Sequence, residues 1–261
     1  MSSLSLNDLK KRLATNSGDI PESVVELPSN KQKATIRPMK VKEQKSILKA
    51  IEKRNEYLVN ESFDILLDKC VISVDGEPFD NDDIILQDRK FLLIKIQELT
   101  NGPKSKIQHI NHKTGDLIKD VEVDISELDV IYFEGELYKE IQLSDTLFIN
   151  VGPITRKGEK EIERWTKKNK AEDSVIDKRY CGYASLIKRI IVKDDEVTEY
   201  NLSFDEKVQF ISDNCSSSQL KEIDKYVKTL DFGIQLKVDI NTEEYTSEEE
   251  EDISIISFFI N

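Results

Sequence analysis

The chain has 261 residues, with 38 Lys+Arg against 51 Asp+Glu and a formal charge of -13. That length suits one large or two modest domains with ample core. An acid excess of this size argues against general nucleic-acid binding and against anionic membrane surfaces, both of which call for lysine and arginine.

No stretch approaches the ~20 apolar residues of a membrane span. The start, MSSLSLNDLKKRL, lacks the long apolar region of a secretory signal. Cys70, Cys181 and Cys215 are odd in number and far apart, which predicts free thiols in a reducing cytoplasm. Ser5 to Ala14 reads as a short amphipathic helix with Leu6, Leu9 and Leu13 on one face, followed by a linker to about Ser23. Pro28 and Pro38 forbid helix around them, so Ala34 to Arg37 is extended. Helical spacing then runs from Lys40 to Arg54, with Val41, Ile47, Leu48 and Ile51 as the apolar face. A second helix is expected from Glu61 to Ile72, capped by Asn60, with Cys70 as a small core residue.

Asp75-Gly76 is a turn signal. Beyond it, Asp88 to Gly102 is the most apolar helix-length stretch of the chain. Phe91, Leu92, Leu93, Ile94, Ile96 and Leu99 leave little polar perimeter, so burial on most sides is expected. Asp88 suits the start of that helix, and Gly102-Pro103 ends it. Lys106 to Ile110 and Leu117 to Ile125 read as a hairpin, and further short strands are expected at Val130 to Phe133, Leu137 to Leu143 and Thr146 to Val151.

Helices follow at Lys157 to about Asn169 and Ser174 to about Ile187, then a hairpin around Asp194-Asp195. Ser203 with Glu206 is a capping-box pattern, and Ser217 or Ser218 is expected to cap the next helix. Ile234 to Ile240 alternates as a half-buried strand does, and Ile253 to Ile260 reads as a final apolar strand. The fold class is α+β: an N-terminal helical bundle, a central β region with hairpins, and a C-terminal α+β portion ending in a buried strand. The corresponding divisions are an arm and linker at 1–23, a helical region at 24–103, a β region at 104–155 and an α+β region at 156–261.

Chemistry is sparse. His109 and His112 are the only histidines, and no cysteine pair supplies the further ligands a zinc site needs. Asp80, Asn81, Asp82 and Asp83 resemble a calcium loop in composition alone. No phosphate-cradling or nucleophile-elbow motif occurs. Arg156 to Lys170 holds seven basic residues, three glutamates and Trp165, and reads as a solvated helix with Ile162 and Trp165 on its buried side. Glu243 to Asp252 is an acidic run, read as a solvated turn or an electrostatic docking loop. No catalytic, cofactor-binding or metal residue is nominated.

One resemblance runs through the order of these features. Leu27-Pro28-Ser29, Ile36-Arg37-Pro38-Met39, Val41-Lys42-Glu43, Lys69-Cys70-Val71, and Leu86 with Asp88, Phe91, Leu92, Leu93 and Gly102 form a series. That series is similar to the baseplate hub family of contractile-tailed, T-even-type phages, which includes hub subunits and hub-assembly proteins. Relatives often carry Cys-x-x-Cys knuckles near 109–112 and before the last strand; histidines at the first and no cysteines at the second speak against a structural zinc here. The resemblance implies a structural or assembly component of a baseplate hub, acting by protein–protein binding without catalysis. Its partners would be other hub or tail proteins, with no nucleic acid, membrane, cofactor or small-molecule substrate. It would be found in host cytoplasm during assembly and in the virion tail. The N-terminal arm and the terminal strand are the expected contact elements. A transient tail-assembly chaperone is the alternative, and a metal-dependent enzyme using Asp80, Asp82 and His109 a more distant one.

Overall fold

The computed structural model describes residues 21–110, 117–193, 197–240 and 251–260. Their architecture is mixed α+β, with helices packed among several small antiparallel sheets. The expected helix at Ser5 to Ala14 and most of the acidic run lie outside the described residues.

The N-terminal half opens with a hairpin of β1 (Ser23–Glu26) and β2 (Lys33–Ile36), followed by α1 (Val41–Glu52) and α2 (Glu56–Cys70). Glu43 holds the start of α1: its carboxylate accepts from Lys40 N at 2.7 Å and pairs with Arg37 at 2.7 Å. The second helix begins a turn earlier than expected, because Asn55 rather than Asn60 accepts the capping bond from Leu58 N. It then passes without a loop into β3 (Val71–Val74), which pairs with β2 and with β4 (Glu77–Pro78) in a four-stranded sheet. The helical bundle expected here is therefore three helices plus a sheet. Strands of two to four residues are too short for alternation to register, and Val71 and Ile72 continue the apolar spacing of α2. Asp75 and Gly76 both have positive φ, at 50° and 84°, as a two-residue hairpin turn requires.

α3 (Leu86–Asn101) lies at the centre and is buried as its composition predicts, with Phe91, Leu92, Leu93, Ile94 and Ile96 all inside. Gly102, at φ 85°, ends it. Asp88 does not cap this helix, whose N-cap position is Ile85. β5 (Lys104–Ile110) and β6 (Leu117–Asp124) form the expected hairpin, followed by a 3-10 turn and β7 (Val130–Ile131).

β8 (Lys139–Gln142) and β9 (Leu147–Val151) leave that hairpin and enter a second sheet. α4 (Arg156–Lys168) and α5 (Val175–Leu186) follow, then β10 (Ile187–Lys193) and β11 (Val197–Tyr200), which complete the order β11-β10-β9-β8. α6 (Phe204–Asn214) starts on the expected Ser203–Glu206 box. α7 (Ser217–Thr229) starts on a box made by Ser216 and Gln219, one residue before the expected cap. The expected strand at Ile234 to Ile240 is two short pieces: β12 (Gly233–Ile234), paired with β7, and β13 (Lys237–Val238), paired with β14 (Glu251–Asp252).

The chain's end is not a strand. Ile255–Phe259 is a 3-10 turn lying against α1, α3 and β5, with Phe258 and Phe259 buried. Gln97 Nε2 donates to Phe258 O at 2.6 Å, and the Phe63 and Phe259 rings stand 4.9 Å apart. The run ISIISFF is buried as its composition demands, by insertion into the chain's own core rather than by strand pairing.

The buried apolar side chains form two clusters. One spans Leu27 to Ile125 and recruits Ile234 to Phe259; the other draws on Ile141 to Phe232. The consecutive residues Ile84 and Ile85 point into different clusters. No helix of the described residues is long and apolar enough to cross a membrane.

Candidate functional site

The two cores meet where α2, α3 and α4 converge, and that junction is made by charge. The backbone supplies a first layer: Arg156 N donates to Ile84 O at 2.9 Å, Lys157 N to Asp82 O at 2.9 Å, and Leu86 N to Ile154 O at 3.1 Å. Arg156, the first residue of α4, is then 1% exposed. Its Nε donates to both carboxylate oxygens of Asp64 on α2, at 2.9 and 3.0 Å, and its Nη1 to Glu159 at 2.7 Å and Glu163 at 3.3 Å. Arg89 of α3 reaches the same Asp64 at 3.0 Å, and Lys160 reaches it at 3.3 Å while pairing with Asp82 at 2.7 Å. Burial of this kind is tolerated only where each charge has close partners.

Burial pushes the Asp64 carboxyl up, but hydrogen bonds from Arg156 and Asn81 and the nearby guanidinium charges outweigh it, leaving the group below the ordinary carboxylate value. Burial likewise lowers Arg156, yet the bond to Asp64 and the charges of Asp64 and Glu159 raise it overall. For Arg89, burial prevails over Asp64 and the group is lowered. Such an arrangement fixes three helices against one another. Asp64 and Arg156 are bonded to partners in the same chain, while Arg89 is held through Nη2 and its buried Nε has no partner among the described residues, so the arrangement is suited to holding shape.

A second buried carboxylate ties the start of the chain to α3. Asp88 accepts from Ser29 N at 2.9 Å and from Ser29 Oγ. Burial pushes its carboxyl up to about 6, against the pull of those two bonds. Leu27-Pro28-Ser29 and Asp88, two pieces of the motif series read from the sequence, are thus one contact.

The other residues singled out in the sequence take structural places. Cys70 is buried, 3.6 Å from Glu43 Oε2, and burial pushes its thiol up to about 12, the reverse of a reactive cysteine. The backbone of His109 pairs with Ile118 across the β5–β6 hairpin, and His112 lies outside the described residues. Asp80, Asp82 and Asp83 do not gather on a common point: Asp82 turns to Lys160, and Asp80 accepts from Asp82 N at 2.9 Å. Among the described residues no three His, Cys, Asp or Glu side chains are placed to share a metal ion. Trp165 is half-buried beside Phe204 at the start of α6.

Sequence reasoning missed Asp64, Arg89 and Arg156, whose partners lie up to 92 residues apart. Arg89 stands between Asp88 and Lys90 at the polar entry of an apolar helix, where nothing local marks it for burial. Also missed was an open groove of about 520 Å3 between α2 and α4, bordered by the exposed Tyr57 and Ile65. Val175 and Ile176 at the start of α5 are the most exposed large apolar side chains among the described residues, at 80% and 70%.

A protein family described as T4 bacteriophage base plate protein matches residues 20–260. No curated protein and no solved structure is significantly similar to the chain.

Proposed function

The chain belongs to the T4 bacteriophage base plate protein family, and on that premise we propose that it serves the central hub of a contractile-tail baseplate, as a subunit or as a factor in hub assembly. A baseplate protein is a structural component of the phage tail, and its neighbours are other baseplate and tail proteins. The finer reading is that this chain works by binding those neighbours and carries out no reaction. It does so in host cytoplasm while the hub is built. The family match across nearly the whole chain carries the proposal. The buried charges support it, because their bonds to one another hold three helices in register.

The proposed contact elements differ from those expected from sequence. The terminal segment is consumed by its own core, so the exposed apolar side chains of α2 and α5 take its place. The N-terminal arm stays a proposed contact. Affinity purification of the tagged chain from infected cells, followed by identification of what accompanies it, tests the reading. Hub and tail proteins are expected. Recovery with none of them would overturn it. Finding the chain in purified tails marks a lasting subunit, and finding it only in precursors marks an assembly factor.

A further inference from the structure

The groove between α2 and α4 has two unlike walls. One carries apolar surface: Tyr57 and Ile65 stand two turns apart on one i, i+4 ridge of α2, 56% and 52% exposed, with the exposed Glu61 midway between them and hydrogen-bonded by Tyr57. The other is basic: Arg164 and Lys167 are exposed, one turn apart, on α4. Between them the floor is internally balanced, because Arg156, Arg89 and Lys160 stand against Asp64, Glu159 and Glu163. The acids of α4 that face this side are therefore occupied. Among the described residues neither Arg164 nor Lys167 has an ion-pair partner.

A basic wall runs against the character of a chain with a formal charge of -13. Solvation alone accounts for exposed cations. It does not account for an aromatic and a branched apolar side chain held open opposite them, since exposed apolar groups rimmed by charge are a mark of contact surfaces. We propose that this groove docks an acidic segment of another baseplate or tail protein, which rests apolar side chains on Tyr57 and Ile65, to either side of Glu61, and lays Asp or Glu side chains along Arg164 and Lys167. The inference rests on the reading of the chain as a binding component of the baseplate. It adds a selection rule. The acidic molecule as a whole repels an acidic partner, and the groove is the place where such a partner is attracted, so charge orients the approach. A nucleic-acid backbone would match the basic wall but leave the apolar wall without purpose.

The test places a photo-crosslinking p-benzoylphenylalanine at Ile65 in the full chain, in cells infected by the phage that encodes it. The adduct is sequenced in the wild-type background, in Arg164→Glu/Lys167→Glu, and in Arg164→Gln/Lys167→Gln. All variants are first required to unfold at the wild-type midpoint, as substitutions at exposed positions should. The adduct is expected on a net-negative segment of a baseplate or tail protein. Its yield should fall about tenfold or more on charge reversal and by less on neutralisation. Suppose the chain still accompanies tail proteins, but the adduct is absent, indifferent to the charge changes, or borne by nucleic acid or a second copy. The groove inference is then overturned while the baseplate reading stands. If the chain accompanies no tail protein, the baseplate reading itself falls, and this inference with it.

Discussion

At the scale of single residues, the most consequential side chain is Asp64, because three cations depend on it. Arg156, Arg89 and Lys160 all reach its carboxylate, and the first two are buried. Asp64→Asn removes the charge and leaves two guanidinium groups in a poorly hydrated junction. Breaking one side of such a pair costs about 3–5 kcal/mol, so the urea midpoint should fall sharply at constant slope. A loss within experimental error would mean that water already reaches the junction. The sign of the pH effect follows from a carboxyl held below its ordinary value: its stabilisation is present at neutral pH and is lost as pH falls through the folded-state pKa. Asp88 behaves oppositely. Its carboxyl rises from 3.8 to about 6 in the fold, so the native state holds the proton more tightly than the unfolded chain, and stability from this group declines as pH rises between those values. At ~1.4 kcal/mol per unit, the difference amounts to roughly 3 kcal/mol. Asp88→Asn cannot ionise, so unfolding free energies measured at pH 4 and pH 7 should show the variant gaining on wild type as pH rises. A gap that stays constant would refute the raised value.

At the scale of elements, α3 behaves as its composition requires, while the terminal segment shows where composition stops being informative. Six apolar residues of α3 predict burial on most sides, and burial is what its surroundings provide: β5 and β12 lie against it, and the terminal 3-10 turn closes one flank. The terminal run ISIISFF equally demands burial. Whether it is buried by pairing as a strand or by insertion as a turn depends on a space between α1, α3 and β5 that the run itself does not define. Phe258 fills that space and is fully buried. Phe258→Ala should cost about 3–5 kcal/mol, read as a lowered thermal midpoint. An exposed docking strand would instead tolerate the change and lose only partner binding. Helix starts divide in the same way. Ser203 with Glu206 is a local pattern and was legible; Asn55 and Ser216 were displaced from the expected caps because several polar residues nearby satisfy the same local rule.

At the scale of the whole molecule, two apolar clusters are joined by a charged junction, and this has a thermodynamic consequence. Ile84 and Ile85 lead into different cores, and Arg156 bonds to the backbone of the first and the side chain of α2. Losing either core strips the partners from the buried charges, so the two should unfold together. Trp165, the only tryptophan, lies beside Phe204 at the start of α6, the helix that gives Ile211 to the second cluster. Its fluorescence transition and the far-ultraviolet circular dichroism transition are expected to coincide in denaturant. Separate midpoints would show that the junction does not couple the cores. Membership of the baseplate family extends the same logic outward. A chain whose buried charges hold its own halves in register is left with surface features for its neighbours, and the α2–α4 groove, with Tyr57 and Ile65 across from Arg164 and Lys167, is the surface proposed above for one of them.

By itself the sequence determined the elements whose signals are local. These are the amphipathic helices, the turn at Asp75-Gly76, the burial of α3, the inert Cys70, and the ordered motifs that carried the family resemblance. Helical periodicity, left-handed turn residues and apolar content act over a few residues, so a few residues suffice to read them. The tertiary structure alone decided which distant groups meet: Ser29 with Asp88, Asp64 with Arg156, and the terminal phenylalanines with α1 and α3. It also decided that short strands between 104 and 151 divide among a lone hairpin, a pairing of β7 with β12 and a second sheet. Those outcomes depend on the space and charge left over when all the elements pack at once, and no single segment encodes that remainder.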